Sequence, residues 1–210
     1  MDSRKISKTI SHVLLIVGSI FMLFPFVWMF LTSLKTTSQA TAIPPIIIPP
    51  EPQWINYKTL FESLPFFVLY KNTFVSTLII TMEQLLLCAF AAYAFARLDF
   101  PFKNLLFILI LSVLMVPSQV FIIPQYVTIQ KMGLLDSISA LVIPNLFSAF
   151  GTFLLRQFFA TLPKELEEAA YLDGCGRIGI LFKIILPLSI PGLVSLSIFV
   201  ILFGWNNLLW

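Results

Sequence analysis

The sequence predicts an all-α membrane protein, and three observations carry that prediction. Of 210 residues, 59% are hydrophobic and only 11% are charged, with a mean hydropathy of +0.96. Soluble domains have no use for that much apolar surface. Five apolar stretches stand out, running roughly 13–34, 74–96, 105–123, 138–155 and 188–210. Each approaches the ~20 residues that a spanning helix requires. Every backbone polar group must be satisfied inside a bilayer, so these stretches read as helices. The whole chain, 1–210, reads as one transmembrane domain.

The first stretch, 13–34, follows Arg4, Lys5 and Lys8, and Ala40 with Ala42 resembles a cleavage site. Its apolar run is longer than the ~7–15 residues of a signal-peptide core, so it reads as a retained helix. The segment 35–72 carries Pro44, Pro45, Pro49, Pro50 and Pro52, which preclude a regular helix there. It reads as an external loop packed on helix ends. Basic residues set the orientation. With a cytoplasmic N-terminus, that side collects Arg4, Lys5, Lys8, Arg97, Lys103, Arg156, Lys164, Arg177 and Lys183, against Lys35, Lys58, Lys71 and Lys131 outside. The fifth stretch is still apolar at Trp210, so it reads as a helix cut short, with a sixth to follow. The alternative is a true five-helix protein with an external C-terminus.

Other classes are disfavoured. The net charge of +3 is small and unclustered, which argues against nucleic acid as a partner. Cys88 and Cys175 stand in different segments and suggest neither a disulfide nor a metal site. Gly174 and Gly176 flank Cys175, but the lysine and serine or threonine of a phosphate loop are missing and no strand precedes them. His12 lies at the edge of the first stretch, badly placed for hydrolytic chemistry. Gly18 has no glycine partner four residues away.

The charged segment 161–184 separates the fourth and fifth stretches and is expected in the cytoplasm. Pro163 near a helix start, with Glu165, Glu167 and Glu168 behind it, fits a helix N-terminus. Leu162, Leu166, Ala169 and Ala170 recur at helical spacing and predict one small apolar face. Asp173 and Gly174 end the helix, the glycine supplying a left-handed residue. Residues 177–183 read as a second short helix, basic at both ends. Composition alone also allows a plain solvated loop.

Polar groups within the apolar stretches are the other candidates, since such residues face protein or water rather than lipid. Glu83 and Gln84 fall near the middle of the second stretch. Glu83 either lines a substrate path, or holds its helix to a neighbour, or serves proton coupling. Ser118, Gln119, Gln125 and Asn145 lie beside Pro117, Pro124 and Pro144, each of which leaves a carbonyl unpaired. Trp205, Asn206 and Asn207 could stack on and hydrogen-bond a sugar ring, or form an interfacial belt.

At this point the sequence resembles a known family. Glu168, Ala169 and Ala170, then Gly174, then Ile184, Leu186 and Pro187 look like the signature of permease subunits of bacterial ATP-binding cassette (ABC) importers. Further motifs resemble the carbohydrate branch, close to the maltose-type second permease. They are Asn56 and Tyr57 with Leu60 and Phe61, residues 91–97 ending in Arg97, Pro117 with Gln119 and Pro124, Leu155 to Phe158, and Trp205 with Asn206. The resemblance implies a type I importer transmembrane domain of six helices, in the inner membrane of a bacterial cell. It implies a second permease, two ATPase subunits that bind ATP and Mg, and an external substrate-binding protein. The chain itself would be no enzyme and hold no cofactor. Segment 161–184 would be the coupling region. Glu168 would make the charged contact with an ATPase subunit, Ala169 and Ala170 would fit its cleft, Asp173 and Gly174 would form the turn, and Leu186 and Pro187 complete the signature. Substrate-path candidates are Glu83, Gln84, Gln119, Asn145 and Asn206. The rival is a secondary transporter or channel with Glu83 as its functional acid.

Overall fold

A computed structural model describes residues 3–207, with side chains from Lys8 onward. The side chains of Arg4 and Lys5, and the apolar end 208–210, lie outside the described residues. The chain divides into two units, 1–67 and 68–210.

In the first unit, α1 (Ser3–Ser33) is followed by α2 (Thr37–Ala40) and α3 (Ile55–Ser63). α1 is exposed along its membrane-length portion, Lys8–Ser33. Its C-terminal end is tied down by the loop. The Asn56 side-chain amide donates to the carbonyls of Ser33 (2.9 Å) and Lys35 (3.0 Å). The Gln53 N–H donates to the Leu34 carbonyl at 2.8 Å. Carbonyls that the helix end leaves orphaned are thereby satisfied. Lys35 folds back over the Trp28 ring, 4.4 Å from its centroid. The proline-rich run 43–53 forms no helix, but the segment 35–72 is not helix-free as expected: α2, α3 and the start of the helix Phe66–Arg97 lie within it, where no proline interrupts the chain.

The second unit holds most of α4 (Phe66–Arg97) and the remaining elements. α4 is continuous over 32 residues, about 48 Å, well beyond the ~30 Å hydrocarbon layer. It starts eight residues earlier than the sequence suggests, because the turn at Pro65 rather than hydropathy sets its first residue. The other three apolar stretches differ from expectation. Two of them are broken within their length, and the fifth begins only after a bend at Ser189.

The stretch 105–123, expected as a single span, breaks at Pro117. Before it run α5 (Lys103–Ser112) and a 3₁₀ turn to Met115. After it come a second 3₁₀ turn and α6 (Ile122–Lys131), bent from the first part by 95°. Proline disfavours the helical conformation in the residue before it, and Val116 is extended (φ −91°, ψ 123°). Pro124 sits in the first turn of α6, where no N–H is needed. The stretch 138–155 splits likewise into α7 (Ile138–Val142), a 3₁₀ turn through Asn145, and α8 (Ala149–Thr161), bent by 51°. The Ser148 hydroxyl caps α8 by accepting from the Gly151 N–H at 3.0 Å.

Beyond α9 (Glu165–Leu172), the short basic helix expected over 177–183 runs on to Leu188. It comprises α10 (Arg177–Ile180), a π-type stretch Leu181–Ile185, and α11 (Leu186–Leu188). Pro187 cannot donate back to the preceding turn, and the widened turn accommodates it. At Ser189 the chain bends by 80° into α12 (Ile190–Trp205). Two helices are continuous and apolar enough to cross a membrane, and up to five spans result if each bent pair counts as one.

The core of this unit is the crossing of α4, α8 and α12. Cys88, Ala92, Leu155, Phe159 and Leu196 are wholly buried there. Glycine permits the approach. A Cβ on Gly151 would lie 3.0 Å from Cys88 Sγ and 3.1 Å from Leu196, and one on Gly192 would lie 2.7 Å from the Phe158 ring. Small residues at helix crossings are how membrane helices gain contact when no hydrophobic effect drives them together.

Candidate functional site

α9 begins with Glu165, Glu167 and Glu168 in its first turn, where the helix dipole favours acids. It ends at Asp173, with Gly174 at φ +81°. The Gly174 N–H donates to the Tyr171 carbonyl (3.0 Å) and the Cys175 N–H to the Ala170 carbonyl (2.9 Å). These two crossed bonds are a Schellman cap. The expected turn at Asp173 and Gly174 is therefore present.

The predicted apolar face is only half buried. Leu162 and Ala170 pack against the core, while Leu166 and Ala169 are exposed. The helix phase explains this: Ala170 shares its inward face with Glu167, three residues back. Glu167, which the sequence did not single out, turns inward, and Glu168 stays exposed. Glu167 Oε1 meets Arg97 Nε at 2.8 Å, with the two side chains 16% and 4% exposed. Leu186 is half-buried on the core and Pro187 is exposed. An open groove of about 620 Å³ runs beside α9, lined by Tyr93, Arg97, Glu167, Glu168, Tyr171 and Arg177 among others. Leu172 is 88% exposed and Tyr171 67%. Elsewhere on this chain an exposed apolar side chain is suited to lipid. On α9 these exposed side chains stand beside three acids of the first turn.

The polar residues within the apolar stretches sort into two groups. Gln84 and Asn145 meet: Gln84 Nε2 donates to the Asn145 carbonyl at 2.6 Å. That carbonyl lies at the break between α7 and α8, so Gln84 satisfies a group that the bend exposes. Asn145 Nδ2 in turn donates to the Leu141 carbonyl at 2.9 Å. Two cavities adjoin this pair. One of about 360 Å³ is lined by Gln84, Asn145, Ser148 and several phenylalanines. A smaller one of about 90 Å³ is lined by Thr73, Ser76, Asn145, Trp205 and Asn207.

Gln119 and Asn206 do not join them. Gln119 is exposed on the 3₁₀ turn after Pro117. Asn206 Nδ2 donates to the Leu202 carbonyl at 2.8 Å and closes the end of α12; its neighbours Trp205 and Asn207 reach the cavity instead. Glu83 lines neither cavity, and its Oε2 is buried without a hydrogen-bond partner.

Sequence reasoning also passed over the two arginines at this end of the unit. Arg97 Nη2 donates to the carbonyls of Phe159 (2.5 Å) and Leu162 (2.6 Å). Arg156 Nε donates to the Phe95 carbonyl (3.2 Å), and its guanidinium lies 4.2 Å from the Phe107 ring centroid. The available signal was a lone arginine closing a long apolar helix, where a cation can serve orphaned carbonyls.

Comparison with known proteins agrees with this architecture. The profile of a family described as "Binding-protein-dependent transport system inner membrane component" matches residues 84–210. The sn-glycerol-3-phosphate transport system permease protein UgpE of Yersinia pestis bv. Antiqua (strain Antiqua) is 37% identical over 216 residues, covering 100% of this chain and 77% of the relative. The protein of the same description from Brucella suis biovar 1 (strain 1330) is 33% identical over 217 residues, with the same coverage. A solved bacterial ABC transporter involved in the import of the acidic polysaccharide alginate has a chain of the same fold. It superimposes with a TM-score of 0.78 at 24% identity, over 99% of this chain and 73% of that one. The resemblance drawn from Glu168, Gly174 and Pro187 thus holds at the level of family and fold, and the chain belongs to the binding-protein-dependent transport system inner membrane components.

Proposed function

We propose that this chain is one of two permeases in an ATP-driven importer of a sugar or related polyol, with α9 as the helix that docks on an ATPase subunit. The observation that carries this reading is the exposure of Leu172 and Tyr171 beside Glu168 on a helix whose far end is capped. A short rigid helix presenting apolar and acidic side chains together is suited to insertion in a cleft of another protein. Among the described residues no group of His, Cys, Asp and Glu could hold a metal ion. The run Gly174, Cys175 and Gly176 lacks the lysine and the serine or threonine of a phosphate loop, so energy for uphill transport enters through partners. The assembly comprises a second permease, two ATPase subunits carrying ATP and Mg, and an external binding protein. The N-terminus and α9 face the cytoplasm, on the bias of basic residues.

Transport proceeds by alternating access, in which ATPase closure displaces α9 and the membrane helices rock with it. The cavities at Asn145 offer amides, hydroxyls and aromatic rings, which suit a hydroxyl-rich cargo. Glycerol 3-phosphate, named for the relatives, is the first cargo to test.

Glu168→Lys and Leu172→Asp test the docking surface. The expected result is loss of co-purifying ATPase subunits by about tenfold or more, the scale for removing one interface anchor. Unchanged assembly and unchanged uptake of labelled glycerol 3-phosphate in cells that import it would sink the assignment.

A further inference from the structure

We infer that Arg97 and Arg156 clasp the ends of α4 and α8 reciprocally and, through Glu167, lock α9 to both, so that the three helices move as one body. Each arginine reaches across to the other helix. Arg97, the last residue of α4, donates to the carbonyls of Phe159 near the end of α8 and Leu162 just past it. Arg156, on α8, donates to the carbonyl of Phe95 near the end of α4. The two Arg97 bonds cannot be replaced by water without cost, since its side chain is 4% exposed and buried carbonyls need partners. The Arg97 guanidinium also pairs with the Glu167 carboxylate, Nε and Oε1 lying 2.8 Å apart as an ion pair without hydrogen-bond alignment. One side chain rooted in α4 thus reaches two further elements, the end of α8 and the first turn of α9. The planar, forked geometry of arginine makes this possible, and lysine could not reproduce it. Arg156 extends the joint to α5 by lying over Phe107.

The inference deepens the docking reading and rests on it only for its consequence. If α9 receives the push of an ATPase subunit, Arg97 is the positioning residue that passes it to α4 and α8. A helix held by a flexible tether would absorb that push, whereas one pinned through Glu167 to a side chain that also holds α8 transmits it.

The test uses the assembled transporter in lipid nanodiscs, with spin labels at Leu78→Cys on α4 and Glu165→Cys on α9. Cys175→Ala removes the native cysteine that is partly exposed; Cys88 is wholly buried. In the otherwise unmodified chain the label distance is expected to be narrow and to stay fixed when ATP and vanadate trap the complex. Arg97→Ala should shift or broaden it by roughly 2 Å or more, the scale on which released helices slide. Glu167→Gln keeps the shape of the side chain and should do the same if Arg97→Ala fails to assemble. A merely structural role lowers yield and melting temperature but leaves the distance intact in complexes that do assemble. The inference is overturned if both variants keep the narrow distance, or if the unmodified pair moves by roughly 2 Å or more on trapping. The resting distances do not depend on ATPase docking, so Leu172→Asp retaining its ATPase subunits would refute the docking reading while leaving this one standing.

Discussion

Gly174→Ala isolates what the C-terminal cap of α9 contributes. A Cβ at Gly174 would meet nothing within 4 Å, so the substitution carries no steric term. What it carries is conformational: φ is +81°, and a residue with a Cβ pays about 1–2 kcal/mol to sit in the left-handed region. That corresponds to a factor of roughly 5–30 in the equilibrium between closed and open helix end. Only the cap bonds from the Gly174 and Cys175 N–H groups report on it directly. Amide hydrogen exchange over residues 170–175 should therefore speed up by that factor. Gly176→Ala is the matched control, two residues away, with equally open space but an extended backbone at φ −73°. It should leave exchange unchanged. If Gly174→Ala also leaves it unchanged, the left-handed cap does not hold the helix end and the argument fails.

Three further predictions concern the helix bundle. Gly192→Ala places a Cβ 2.7 Å from the Phe158 ring and should destabilise by about 1–3 kcal/mol, as overpacking does; a lower thermal midpoint of the detergent-solubilised complex measures it. Gln84→Leu removes the donor to the Asn145 carbonyl and should cost about 1–2 kcal/mol, the scale of hydrogen bonds between membrane helices. The same thermal assay reads it. Finally, a maleimide applied to the native complex should label Cys175, which is partly exposed, and spare Cys88, which is fully buried. Mass spectrometry of both peptides decides this, and equal labelling would contradict the packing of α4 against α8.

The membrane class and the capped acidic helix were legible in the sequence because each rests on local chemistry. Hydropathy reports burial in lipid directly, and glycine after a helical run reports a left-handed residue directly. The bends were not legible to the same degree. Pro117 and Pro144 marked where helices would be interrupted, yet hydropathy is equally high on both sides of Pro117. Nothing in the composition tells a 95° turn from a mild kink. The choice between Glu167 and Glu168 was harder still. The two are adjacent acids, and only the rotational phase of α9 decides which one meets Arg97. The partnership of Gln84 with the carbonyl at position 145 links residues 61 apart. The donor is visible in the sequence, but the acceptor is a backbone group that becomes available only where a helix breaks.

The bend at Ser189 turns the segment Arg177–Leu188 into a lever. Its twelve residues make an arm about 18 Å long at 1.5 Å per residue. Set at 80° to α12, the arm relates rotation about the bend to travel at its Arg177 end, where it joins the capped α9. A swing of about 10° moves Arg177 by about 3 Å on that arm length. The direction of travel is along the axis of α12 rather than across it. On that geometry, a few ångströms of travel at Arg177 and about 10° of rotation at Ser189 describe one displacement at two radii.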